Sequence, residues 1–151
     1  MIIRYLATDI VVNDIDPVAK RFSEILGVKI NWKSNPTFPD LREAAFYPGN
    51  SKFVLLASTG NDHVGRLFKA RGEGPVTVYF EVDNMEEEVE RLKSLGVEFT
   101  SDILTFDEGK VIFARPSTLN VGGIPVGFTE ASPDLPWGKR IIPTEGFPGK
   151  R

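Results

Sequence analysis

The stretch "GEGPVTVYFEVDN", Gly72–Asn84, decides how the chain is read. Gly72 and Gly74 mark a turn, and Pro75 opens an alternating run. Val76, Val78, Phe80 and Val82 share one face of the expected strand, and Thr77, Tyr79 and Glu81 share the other. Asp83-Asn84 then supplies a helix cap ahead of "MEEEVERLKSLG", in which Met85, Val89, Leu92 and Leu95 recur at helical spacing and Gly96 ends the run. Glu86, Glu87 and Glu88 fall in the first turn, where the helix dipole favours negative charge. The acidic run at 86–90 therefore reads as a solvated helix start.

The same grammar occurs earlier. "VNDIDPVAKRFSEILGVKI" from Val12 matches "VDNMEEEVERLKSLGVEF" from Val82, with Asp14 on Asn84, Ile15 on Met85 and Arg21 on Arg91. The offset of 70 residues slips to 69 where Gly27-Val28 meets Gly96-Val97. Asp14 or Asp16 caps the first helix with Pro17 in its first turn. Ile15, Val18, Phe22, Ile25 and Leu26 form its apolar face, and Gly27 suits a left-handed C-cap. An internal repeat of this kind means two copies of one supersecondary unit.

Around these helices the pattern predicts strands near 2–12, 28–33, 41–47 and 51–58, and near 75–83, 97–101, 109–115 and 123–130. "HVGRLFKARGEG" reads as a short connecting helix and turn, and "FDEG" and "NVGG" as turns. The expected organisation is a first βαβββ module at 1–60, a connector at 61–74, a second βαβββ module at 75–130, and a proline-rich tail at 131–151 in which Trp137, Ile141, Ile142 and Phe147 offer docking groups. The fold class is α+β, two tandem βαβββ modules forming a curved mixed sheet with a concave cup.

Composition narrows function. The 151 residues suit one domain or two small fused modules, and 41% hydrophobic with 26% charged residues is an ordinary globular balance. A net charge of −3 with scattered lysines and arginines argues against nucleic acid and anionic membranes as partners. No cysteine is present, which excludes disulfides, thiolate metal sites and cysteine nucleophiles, and fits a cytoplasmic protein. "MIIRYLATDIVV" is broken by Arg4 and Asp9 and is not read as a signal peptide, and no run reaches the roughly 18 apolar residues of a membrane span.

Two strand-helix-strand-strand-strand units with these turns resemble the vicinal oxygen chelate superfamily, which includes glyoxalase I, methylmalonyl-CoA epimerase, extradiol dioxygenases and bleomycin-resistance proteins. The stretches that carry the resemblance are "DIVVNDIDPVAKRFSEILGV", "RLFKARGEG" with "VYFEVDNMEEEVERLKSLGVEF", and "GKVIFARPSTLNVGGIPVGFTE", over roughly residues 5–130 and closest to the epimerase and glyoxalase branch. The resemblance implies four metal ligands, one from each of four strands. Carried over position by position, they fall on Ala7, on Val54 in "KFVLLAS", on Thr77 (or Val76 in a register shifted by one) and on Gly127 in "IPVGFTE". The 70-residue offset from Ala7 favours Thr77. None of these side chains offers the imidazole or carboxylate donors that a divalent ion requires. The expectation is therefore no metal and no cofactor, and a wider, more apolar cup suited to a small organic molecule.

The candidate ligand-binding residues are Ala7, Asp9, Trp32, Val54, Leu56, Thr77, Tyr79, Arg115 and Gly127. Asp9 shares a face with Ala7, and is either an anchor or general base in the cup or a strand-end carboxylate at the surface. Tyr79 shares a face with Thr77, and either lines the pocket or fills it. Trp32 lines a wall or docks the tail. Arg115 holds an anionic group or makes a surface salt bridge. His63, the only histidine, sits beside Asp62 at a helix start and reads as a surface residue, so no Ser-His-Asp arrangement is available. Three functions fit: a homodimeric small-molecule-binding protein of the sequestration or resistance type; a metal-independent isomerase, lyase or cyclase using Asp9 and Tyr79, with Glu81 as a further acid-base group; or an inactive structural or regulatory domain.

Overall fold

The computed structural model describes residues 1–34, 36, 38–49, 51–106, 109–119 and 123–132. The expected tail began at Ala131, which ends a strand instead; from residue 133 on, with Trp137 and the other docking groups, it lies outside the described residues, as do residues 107–108 of the expected turn "FDEG" and 120–122 of "NVGG".

The elements are β1 (Ile2–Val11), α1 (Ile15–Leu26), β2 (Asn31–Ser34), β3 (Leu41–Phe46), β4 (Lys52–Ser58), α2 (His63–Arg71), β5 (Gly74–Val82), α3 (Met85–Ser94), β6 (Leu104–Phe106), β7 (Gly109–Ala114), α4 (Pro116–Leu119) and β8 (Val126–Ala131). The chain is thus α+β, a βαβββ run occurring twice. Its contacts group into two units, one of Ala7–Val76 and one of Met1–Leu6 with the described residues from Thr77 onward.

In the first, the strand order is β2-β3-β4-β1. β1 and β4 are parallel, with Ala7 opposite Lys52 and Asp9 opposite Val54. β2, β3 and β4 are antiparallel neighbours, with Lys33 opposite Glu43, Glu43 opposite Leu56 and Ala45 opposite Val54. α1 covers one face of these strands. Ile15 and Ala19 are buried against Val12, Ala44, Phe46, Leu55 and Ala57, and Phe22 packs on Phe46 and Phe53. Asp14 holds the N-cap position without a side-chain cap bond, while Asp16 in the first turn pairs with Arg42. Gly27 closes the helix at φ 67°, its N–H donating to the Ser23 carbonyl.

In the second, the order β5-β8-β7-β6 repeats the same connectivity. β5 and β8 are parallel, with Tyr79 opposite Gly127 and Glu81 opposite Thr129. The α3 face buries Met85, Val89 and Leu92 against Val82, Ile112, Ala114, Val126 and Phe128, with Phe80 packed alongside. Asn84 caps α3 by accepting from the Glu87 N–H at 3.1 Å.

Four expectations need correcting. Ile25, Leu26 and Leu95, placed on apolar helix faces, are 65%, 37% and 66% exposed. Each lies at the helix end, where the glycine turn folds the chain back; Val28 and Val97 then supply the apolar side chain to the core instead. Glu88 is not solvated. It is buried on α3, its carboxylate held by Arg91 and by the N-terminal ammonium at 3.2 Å. The strand expected at 97–101 reduces to one bridge, Phe99 with Ala114, and the ladder partner of β7 is β6 at 104–106. Finally α4, a single turn begun by Pro116, was not foreseen.

Candidate functional site

The strand faces away from α1 and α3 carry most of the candidate residues. In the Ala7–Val76 unit, parallel β1 and β4 put Ala7, Asp9, Lys52, Val54 and Leu56 on the side opposite the α1 core, and the antiparallel register adds Glu43 and Ala45 from β3 and Lys33 from β2. Alternation alone produces this grouping, because paired residues in a ladder point the same way. Asp9 is fully buried, Lys52 is 3% exposed and Glu43 is 7% exposed. Burying three ionisable groups together requires mutual compensation.

Lys52 is the centre of this cluster. Its ammonium lies 5.6 Å from the ring centroid of Tyr47, the residue just past β3. Burial, and then the charge of the Lys33 ammonium, push the Lys52 amine down to about 7, against the opposing pull of Asp9 and Glu43. Lys33 is exposed and Tyr47 half-buried. The sequence reading missed Lys52, Glu43, Lys33 and Tyr47. The signal was present: Lys52 precedes Val54 by two in the same strand and must share its face.

Trp32 is not on this face. It pairs with Ala44, on the α1 side, where it is 46% exposed and the Arg42 guanidinium stacks over it at 4.9 Å.

In the other unit, Thr77, Tyr79 and Glu81 lie opposite the α3 core and are all buried. Tyr79 is 0% exposed and meets Phe113 edge-on, with ring centroids 6.0 Å apart. Its ring also lies over Gly127: a Cβ there would come within 2.6 and 2.8 Å of Tyr79 Cδ1 and Cε1. Glu81 pairs with Arg4, Nε to Oε2 2.8 Å. Buried Thr129 stands opposite Glu81, and its Oγ1 has no hydrogen-bond partner among the described residues. Arg115 forms an exposed ion pair with Glu98 at 3.3 Å. His63 is the first residue of α2, after the Asp62 cap.

The register repeats between the units. Asp9 stands to Val54 as Tyr79 stands to Gly127, and Ala7 and Thr77 each lie two residues earlier. Two βαβββ copies with parallel first and fourth strands, each with an equivalent pair of inward positions, define the class. The sequence profile of the Glyoxalase/Bleomycin resistance protein/Dioxygenase superfamily matches residues 3–121, and the chain belongs to that superfamily. Similar solved structures include methylmalonyl-CoA epimerase from Mycobacterium tuberculosis, with a TM-score of 0.72, 20% identity, and coverage of 87% of this chain and 90% of that one. A hypothetical protein from Bacillus halodurans C-125 aligns with a TM-score of 0.74 at 22% identity, covering 88% and 97%. A variant of Streptomyces coelicolor methylmalonyl-CoA epimerase in complex with 2-nitronate-propionyl-CoA aligns at 0.70 and 18% identity, covering 87% and 99%. A search of curated protein sequences finds no match.

The metal that the superfamily resemblance implies does not fit these residues. Ala7, Val54 and Gly127 have no donor atom, and Thr77 has one hydroxyl. The ring of Tyr79 occupies the volume a carboxylate at 127 would need. Among the described residues no three His, Asp or Glu side chains gather as a metal site.

Proposed function

We propose that the protein binds a small, partly apolar organic molecule on its glyoxalase-type strand face, without a divalent ion. The reading is supported by the residues at the four positions to which the resemblance assigns metal ligands, Ala7, Val54, Thr77 and Gly127, none with an imidazole or carboxylate, and by the Tyr79 ring over the last. Apolar walls with a few convergent polar groups are what small-molecule sites use. Ala7, Val54 and Leu56 supply the first, and Asp9, Glu43 and Lys52 the second. The absence of cysteine supports a cytoplasmic location. Among the described residues no helix is long and apolar enough to cross a membrane. We place the function in a homodimer.

Native mass spectrometry of the purified protein, with elemental analysis, tests all parts together. The expected result is a dimer mass, a retained organic molecule or uptake of one from a small-molecule library, and no stoichiometric metal. Zinc, nickel or cobalt at one ion per chain refutes it.

A second reading, a metal-independent isomerase, lyase or cyclase, is favoured by the burial of Asp9 among ionisable groups. Asp9→Asn and Tyr79→Phe then abolish turnover of the substrate; unchanged turnover dismisses both residues.

A further inference from the structure

We propose that Lys52 is a nucleophilic amine that captures a small aldehyde or ketone as an imine on the β1–β3–β4 face, with Asp9 and Glu43 moving the protons of the condensation. The proposal deepens the binding reading and rests on it, since the carbonyl compound must reach this face.

Three features of the cluster carry it. The amine is buried, and a desolvated lysine is the form that attacks carbonyl carbon. A second lysine, Lys33, approaches it from β2, and a neighbouring cation disfavours its protonation. Carboxylates from β1 and β3 interact with it, Asp9 and Glu43, and both are buried. Tyr47 completes the surroundings, its ring beside the ammonium. These four side chains are the charged and titratable groups that the described strands and the residue after β3 bring to Lys52. A lysine serving only as a structural counter-ion gains nothing from a second lysine on the same strand face. A nucleophile does, because the neutral amine is then populated near neutral pH.

The step balances without further reagents. The neutral Lys52 Nζ attacks the carbonyl carbon, forming the N–C bond, and a proton passes from nitrogen to the carbonyl oxygen. The C–O bond of the resulting carbinolamine then breaks. The oxygen takes a second proton, supplied by solvent water and passed along the Asp9 and Glu43 carboxylates, and leaves as water. The product is a protonated imine on Lys52, which the same two carboxylates stabilise. Its ultimate fate in the cell is release by the reverse hydrolysis or proton loss from the adjacent carbon. Either fits a carbonyl-bearing ligand with an apolar remainder, held by Ala7, Val54 and Leu56.

The test is reductive trapping with butanal or benzaldehyde and sodium cyanoborohydride, which reduces the imine to a stable secondary amine. The folded full chain is used, and adducts are assigned by peptide mass spectrometry. Exposed Lys20 and Lys29 serve as internal references. At pH 7 an ordinary lysine is about 0.04% neutral, whereas an amine at about 7 is about half neutral, an advantage of roughly a thousandfold. Lower basicity removes part of this, so labelling of Lys52 should exceed that of either reference by at least about tenfold. Lys33→Met, a change at an exposed strand position, should slow labelling of Lys52 at pH 7 and move its pH midpoint upward. Lys52→Met should remove the adduct; if that chain fails to fold, the Lys33→Met comparison still decides.

Labelling of Lys52 no faster than Lys20 and Lys29, or unaffected by Lys33→Met, overturns the proposal. If native mass spectrometry shows a retained molecule while Lys52 takes no adduct, the imine falls and the binding reading stands. If neither measurement shows a bound molecule, both fall.

Discussion

Gly127→Ala is the sharpest structural perturbation available, because it adds one methyl group at the point where Tyr79 crosses β8. The new Cβ would lie 2.6 Å from Tyr79 Cδ1, 2.8 Å from Cε1 and 3.2 Å from Phe113 Cε1. Ordinary carbon contact begins near 3.4 Å, so the Tyr79 ring must retreat by roughly 0.6–0.8 Å. The ring is fully buried and meets Phe113 edge-on, so it has little room to do so. Overpacking of this kind costs about 1–3 kcal/mol. Replacing glycine within a strand returns about 0.5–1 kcal/mol of conformational entropy. The net expectation is a destabilisation of about 1–2 kcal/mol, or a Tm about 2–8 °C lower for a chain of this size. The assay is urea denaturation by tryptophan fluorescence, with thermal melting in parallel. Tyr79→Leu alone should also destabilise, by leaving a cavity, but Gly127→Ala combined with Tyr79→Leu should cost at least about 1 kcal/mol less than the two changes added. A neutral Gly127→Ala, or strict additivity in the double variant, refutes the claim that Tyr79 occupies the volume above residue 127.

Three further outcomes follow from charge and capping. The Lys52 amine falls from 10.5 to about 7 on folding, so between these values the unfolded chain binds more protons and stability should rise with pH, by an amount on the order of a few kcal/mol; urea midpoints from pH 7 to 10 should show this rise in the wild type and not in Lys52→Met, and a flat wild-type profile refutes it. The Arg91 side chain, and after it the N-terminal ammonium, hold the Glu88 carboxyl below its usual 4.5, so its contribution is complete above that pH and is lost as pH falls through the lower folded value. Glu88→Gln should be less stable than the wild type at pH 7, with the gap closing in acid melts; a gap independent of pH refutes the assignment. Asn84→Ala removes the acceptor for the Glu87 N–H and should cost about 1 kcal/mol by chemical denaturation, with Asn84→Asp nearly neutral.

The repeat was legible because helix and strand periodicities are local. Ile15, Val18 and Phe22 in α1, and Met85, Val89 and Leu92 in α3, pack as their spacing requires, and Gly27 and Gly96 both stop their helices at positive φ. One limit of that local reading shows at Ile25 and Leu95. Periodicity assigns a direction around the helix axis but not how far along it the neighbouring strands extend. Glu88 shows another: a carboxylate in a helix start is read as solvated until tertiary structure brings the N-terminal ammonium to it.

The same division holds at the candidate site. The positions Ala7, Val54, Thr77 and Gly127 came from the resemblance to the superfamily, and that their side chains lack imidazole and carboxylate donors is side-chain chemistry alone. That Tyr79 lies across Gly127, that Trp32 turns to the α1 side, and that Asp9, Glu43, Lys33 and Lys52 meet were decided only by the tertiary structure. Alternation along a strand tells which residues share a face, but strand order and register determine which faces become neighbours. The environment of Lys52 is assembled by β1, β2, β3 and β4, brought together from across the chain, and no single stretch of sequence contains it.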